Sequence, residues 1–144
     1  MHLDPSIFAL DPAAFVADPQ LIQALVSHAA RVTYNHDHVL FHQGDDPAGL
    51  YILHEGRVTL SMASPTGGEV MSIEAANGSL LGLPGLIGNE SYTLTATAHK
   101  DSRLCYLSRD QFTSLMQANP ALSFQILQIL AAEVRSARRA LANI

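Results

Sequence analysis

A chain of 144 residues has the length of one domain. Its longest apolar run falls well short of the roughly 18 residues of a membrane helix, and Asp4 and Pro5 interrupt the stretch where a signal peptide would be hydrophobic. A lone cysteine, Cys105, excludes an intrachain disulfide framework and a multi-thiolate zinc site and fits a reducing, cytoplasmic setting, while a net charge of −5 leaves no excess of cations to grip nucleic acid, so neither DNA nor a membrane is an expected partner.

From Pro12 to Ala30, Phe15, Val16, Leu21, Ile22, Leu25 and Val26 recur at helical spacing, and Asp18-Pro19 divides the stretch into two helical pieces. Segments of strand composition follow: Arg31–Tyr34, His38–His42, Leu50–Leu53, Arg57–Met62, Val70–Glu74, Tyr92–Ala98 and Arg103–Leu107. Turn chemistry separates them, at Gln43 to Pro47, Glu55-Gly56, Pro65 to Gly68 and Asn77-Gly78. Leu50–Leu53 and Arg57–Met62, joined through His54-Glu55-Gly56, are expected to form a hairpin, glycine supplying the positive φ of a tight reversal. Many short strands with such turns indicate a sandwich or barrel, so the fold class is α+β, mainly β.

Ser108 is placed to cap a short helix over Arg109–Gln117, and Asn119-Pro120 to cap and open a longer one. Along the longer helix Leu127, Leu130, Val134, Ala137 and Leu141 form one coiled-coil seam. Ile126 and Ile129 lie toward another side and are free to dock on the strands, so the helix has two apolar faces and a homodimer through the seam is expected. Arg135, Arg138 and Arg139 read as a solvated or dimer-flanking face. The expected layout is one domain over 1–144: N-terminal helices in 1–30, barrel in 31–107 and C-terminal helices in 108–144.

Phe41-x-x-Gly44-Asp45, Gly49-Leu50-Tyr51-Ile52-Leu53, Glu55-Gly56-Arg57-Val58, Gly78 ahead of Leu81-Gly82, and Asp110-Gln111-Phe112 before Pro120 resemble the cyclic-nucleotide-binding domain family. More narrowly, it resembles the sensor half of catabolite activator and fumarate-nitrate regulator-type proteins, from about Phe8 through the final helix. The resemblance implies an eight-stranded jelly-roll barrel with flanking helices and a long C-terminal dimerisation helix. It also implies a small molecule held inside and reported through the long helix, and the domain is read as non-enzymatic. Regulators of this kind continue into a helix-turn-helix. This sequence stops at Ile144, as a sensor separated from that half or as a free-standing module, so no DNA-binding domain is expected in it.

In nucleotide-binding members a strand-to-helix turn presents backbone N–H groups to the cyclic phosphate. The corresponding turn here runs through Gly82, Leu83, Pro84, Gly85 and Leu86, and the neighbouring Tyr92, Thr93 and Leu94 are expected to shape the pocket. Members that bind nucleotide have a glutamate where Leu83 stands and an arginine where Tyr92 stands, six residues before Ala98. Thr93 retains the hydroxyl position. Cyclic nucleotide therefore stays open as the ligand but is weakened by Leu83 and Tyr92, and the cofactor is undetermined. The final-helix positions that meet the purine in such relatives fall near Ala137 and Arg138. The expected function is small-molecule sensing, within or related to a transcriptional regulator.

Two alternatives stand beside it. His36, His38 and His42 have a spacing that partly matches the first motif of cupins, which raises a metal-dependent enzyme, although the cupin glutamate is missing. His28, His42, His54 and His99 are candidate axial ligands for haem, with nothing to select among them. The second alternative is a ligand-free dimerisation module.

Overall fold

The structure, a computed structural model, describes residues 8–144, so the first seven residues of the N-terminal zone lie outside the described residues. A 3-10 turn over Pro12–Phe15 precedes helix α1, Pro19–Val26. The break between them comes from the same device used twice, an aspartate cap followed by proline at the first helical position. Asp11 accepts from the Ala13 N–H at 3.0 Å and Asp18 from the Gln20 N–H at 2.8 Å.

Eight strands follow: β1 Ala30–Thr33, β2 His38–Phe41, β3 Gly49–Glu55, β4 Val58–Ala63, β5 Glu69–Glu74, β6 Leu80–Leu81, β7 Thr95–Ala98 and β8 Arg103–Ser108, with a short helix α2, Leu83–Gly88, between β6 and β7. They make two four-stranded antiparallel sheets in the orders β1-β8-β3-β6 and β2-β7-β4-β5. The result is an eight-stranded jelly-roll sandwich with flanking helices, as expected from the resemblance.

Alternation along the strands divides the core in two. Leu53 and Leu104 face Phe41, Val58, Leu60, Ala96 and Ala98 between the sheets. Ile52, Cys105 and Leu107 face outward, where Leu21 and Leu25 of α1 and the C-terminal helices cover them. Those helices are α3, Arg109–Ala118, and α4, Pro120–Ala142. Ser108 and Gln111 close a reciprocal cap on α3, at 3.2 and 2.9 Å. Ile126 and Ile129 are both buried in the helix-side core. Among the described residues no helix is long and apolar enough to cross a membrane.

Several expectations need correction. β3 and β4 are not a hairpin: β3 pairs with β8 and β6, β4 pairs with β5 and β7, and the turn at Gly56, φ 126°, passes the chain from one sheet to the other. Tyr92–Leu94 is not strand, because Tyr92 exchanges backbone hydrogen bonds with the loop after β2, accepting from Gly44 at 2.8 Å and donating to Asp45 at 3.0 Å. β6 is too short, at two residues, to show a period-two pattern in sequence. Asn119 stands at the start of α4 but makes no side-chain capping bond, its own N–H being taken by the Leu115 carbonyl.

Candidate ligand-binding site

The chamber between the sheets is bounded by β2, β4, β6, the start of α2, the loop before β7, the 3-10 turn and α4. Phe15, Phe41, Leu60, Leu81, Tyr92 and Glu133 form most of its wall, and Gly82, Pro84, Gly85, Thr93 and Leu94 complete its rim. Its volume is about 20 Å³. A cavity of roughly 10–15 Å³ holds one water, whereas small-molecule sites run to ~300 Å³ and more. In this state the chamber is closed, and a ligand enters only if a wall moves.

Tyr92 is the main reason. Its ring is buried and stacks on Phe41 with centroids 4.0 Å apart. Its hydroxyl donates to the Gly49 carbonyl at 2.7 Å and accepts from the N–H groups of Ala48 and Gly49 at 3.1 and 3.2 Å. A side chain so engaged has no capacity left for a phosphate. Gly82 makes room for it: its φ is 96°, and a Cβ there would stand 2.8 Å from the Tyr92 ring.

The turn itself is a poor anion cradle. α2 begins at Leu83, and Pro84, in its first turn, contributes no N–H. Among the described residues no arginine, lysine or histidine lines the chamber. The one charged side chain on its wall, among the described residues, is an acid, Glu133 of α4. Its Oε2 is buried without a hydrogen-bond partner, and desolvation pushes the carboxyl up to about 8. An unpaired acid in this position repels a cyclic phosphate when ionised.

Sequence reasoning missed Glu133, although a signal was present. Leu122, Ile126, Ile129, Ser136 and Ala140 are the buried residues of α4, spaced at four and three, and Glu133 falls on that stripe as the helix's only acid. A lone carboxylate on a docking face is unusual enough to mark. Ser136, one turn on, accepts from the Asp11 N–H at 2.6 Å, which ties α4 to the 3-10 turn that supplies Phe15.

The remaining candidates scatter. Gly82, Pro84, Gly85, Tyr92, Thr93 and Leu94 border the chamber together. Leu83 and Leu86 are buried on the other side, in the helix-side core, so the residue at the family's glutamate position does not face the chamber. Arg138 is exposed and is not part of the chamber wall. The histidines have separate partners: His38 stacks on Tyr34 with centroids 4.1 Å apart, His42 faces Asp45 at 3.5 Å, and His99 meets Thr59 at 2.7 Å. Among the described residues no group of three or more histidine, cysteine or acidic side chains is placed to hold a metal ion.

Residues 31–119 match the family described as the cyclic nucleotide-binding domain. The chain is 29% identical over 118 residues to Lysophospholipase NTE1 of Chaetomium globosum, covering 82% of this chain but 8% of that protein. It is 26% identical over 127 residues to the CRP-like cAMP-activated global transcriptional regulator of Mycobacterium tuberculosis, covering 88% of this chain and 57% of that one. The crystal structure of the Thermus thermophilus catabolite activator protein superposes with a TM-score of 0.75 at 25% identity, over 92% of this chain and 62% of that chain. The chain thus spans about half of the regulator it matches and a small part of the lysophospholipase.

Proposed function

Because the chain belongs to the cyclic nucleotide-binding domain family, we propose that it is a small-molecule-sensing domain related to catabolite activator-type transcriptional regulators, with a chamber for a ligand other than a cyclic nucleotide. It binds its ligand rather than transforming it, and the lone cysteine is in keeping with the cytoplasm as its compartment. The observation that carries this reading is the double role of α4. One face closes the chamber with Glu133, and the other exposes Leu127, Val134 and Leu141.

A ligand that needs more room than about 20 Å³ must displace a wall. If α4 is that wall, occupancy shifts the population of its placements, and the exposed stripe carries the change to whatever it contacts. The partner on that stripe is proposed to be a second copy, through Leu127, Leu130, Val134, Ala137 and Leu141. Gly82, Leu83, Pro84, Gly85, Leu86, Tyr92, Thr93 and Leu94 remain the proposed ligand-binding region, Leu83 and Leu86 acting from behind the turn. Arg138 would act only from a rearranged α4 or from the dimer. The closed chamber also favours a second reading, a barrel that has lost its ligand and serves to dimerise.

Calorimetric titration with cyclic AMP and cyclic GMP separates these. The wild type is expected to give no saturable heat, and the Tyr92→Arg, Glu133→Gln double variant to gain at least about tenfold in affinity, since each charge-assisted hydrogen bond contributes roughly 1.5–3 kcal/mol. Saturable micromolar binding by the wild type would overturn the non-nucleotide reading. Silence of a folded double variant would favour the dimerising module.

A further inference from the structure

The chamber combines two features that together recognise one kind of molecule. Its walls carry three aromatic rings, Phe15, Phe41 and Tyr92, with Phe41 and Tyr92 stacked at 4.0 Å. Against them stands Glu133, whose Oε2 is buried and unpartnered. The side chains facing it from the 3-10 turn, β2, β4 and β6 are Phe15, Phe41, Leu60 and Leu81, none of them charged. Tyr92, facing from the loop before β7, has its hydroxyl committed to Ala48 and Gly49. Among the described residues nothing hydrogen-bonds this Oε2, which leaves it free to meet a donor on a bound molecule.

We propose that the chamber takes an organic cation, a flat apolar body bearing an amidinium or ammonium group, with Glu133 as its counter-charge and the aromatic walls holding its face. This rests on the reading of the chamber as a ligand site, and it names the ligand's chemistry. An amidinium offers two parallel N–H donors to a carboxylate, and aromatic rings attract cations through their negative faces. Burial raises the affinity of the carboxyl for the proton, which favours the protonated form before entry. On entry the cation replaces that proton, which leaves to solvent. Recognition takes place on α4 itself, so the contact that fixes the ligand also pulls on the element that covers the chamber. An anionic molecule of the same shape finds neither a donor cluster nor a counter-ion.

The test compares benzamidinium with benzoate, two ions of matched size and opposite charge, by methyl-resolved NMR titration of the whole chain at pH 7. Benzamidinium is expected to shift the methyl resonances of Leu60, Leu81 and Leu94 saturably, and Glu133→Gln, checked for folding by its melting curve, to weaken that binding at least tenfold. Benzoate binding there as well as benzamidinium, or benzamidinium binding indifferent to Glu133→Gln, would overturn the cation inference and leave the ligand chamber standing. If neither ion moves those resonances, the chamber reading fails, and this inference with it.

Discussion

At the scale of single residues, Glu133 and Tyr92 set the character of the interior in opposite ways. Tyr92 satisfies three backbone groups and binds the loop before β7 to the start of β3. The Oε2 of Glu133 has no hydrogen-bond partner among the described residues, and burial favours the protonated carboxyl. Its affinity for the proton rises on folding, from 4.5 to about 8, through desolvation. The folded form therefore holds a proton that the unfolded form releases, so the contribution is fully present below about pH 4.5 and is lost as pH rises to about 8. Glu133→Gln removes the ionisation and keeps the shape. Thermal melts are expected to show the variant more stable than the wild type at pH 8.5, by on the order of 2–3 kcal/mol after allowance for relaxation around a group that is not wholly buried. Between pH 5 and 8 its stability curve is also flatter; equal slopes for the two proteins would show that Glu133 ionises freely.

At the scale of elements, α4 has two apolar stripes one residue out of step. Leu122, Ile126, Ile129, Ser136 and Ala140 are buried on the barrel, while Phe124, Leu127, Val134 and Leu141 remain 63%, 57%, 49% and 60% exposed. Exposure of that many large apolar groups along one helix is the ground for proposing an interface there. Leu127→Asp with Val134→Asp is expected to convert a dimer to a monomer by light scattering, with little effect on the fold of the protomer, because neither side chain belongs to its core. A wild type that is monomeric at the same concentration would refute the seam. Ile126 and Ile129 on one side and Leu127, Val134 and Leu141 on the other were legible from spacing, since a helix's period is local, whereas Leu130 of the expected seam packs against the helix-side core and the exposed Phe124 was missed. The partners of β3 and β4 were not legible: a short loop with glycine is common to hairpins and to crossings between sheets, and only the pairing of β3 with β8, about fifty residues distant, distinguishes them.

At the scale of the whole molecule, charge and architecture bear on the output. The net charge is −5, and Arg135, Arg138 and Arg139 gather at the end of α4 without forming a broad basic face. Phosphate contacts dominate affinity for DNA, and three clustered arginines on an acidic protein provide few of them. Fluorescence anisotropy with a labelled duplex at low salt is accordingly expected to show no saturable binding by these 144 residues; tight, salt-sensitive binding would assign the chain a direct nucleic-acid role. In the sensing mechanism proposed here, the read-out belongs to whatever α4 contacts. The Asp11–Ser136 hydrogen bond at 2.6 Å makes the 3-10 turn part of the same moving unit, because a displaced α4 must break it or carry the turn along.

The sequence by itself determined the helical start, the strand-rich middle and the helical end, the break at Asp18-Pro19, the capping of α3, two apolar sides of α4 and the family frame, all set by local preference or short-range spacing. The Asp18-Pro19 pair, Ser108 ahead of α3 and a run of apolar residues at helical intervals suffice for that. The chamber was decided only in three dimensions. Whether Leu83 faces the ligand space depends on how α2 rotates over β6, and the structure turns it into the helix-side core. Whether Tyr92 could accept a ligand depends on Ala48 and Gly49, more than forty residues earlier, which occupy its hydroxyl. Glu133 meets the chamber because α4 returns across the open end of the barrel to lie against the 3-10 turn. Burial and charge at these positions arise from segments far apart in the chain, and their effect on chemistry exists only once the sheets have closed around them.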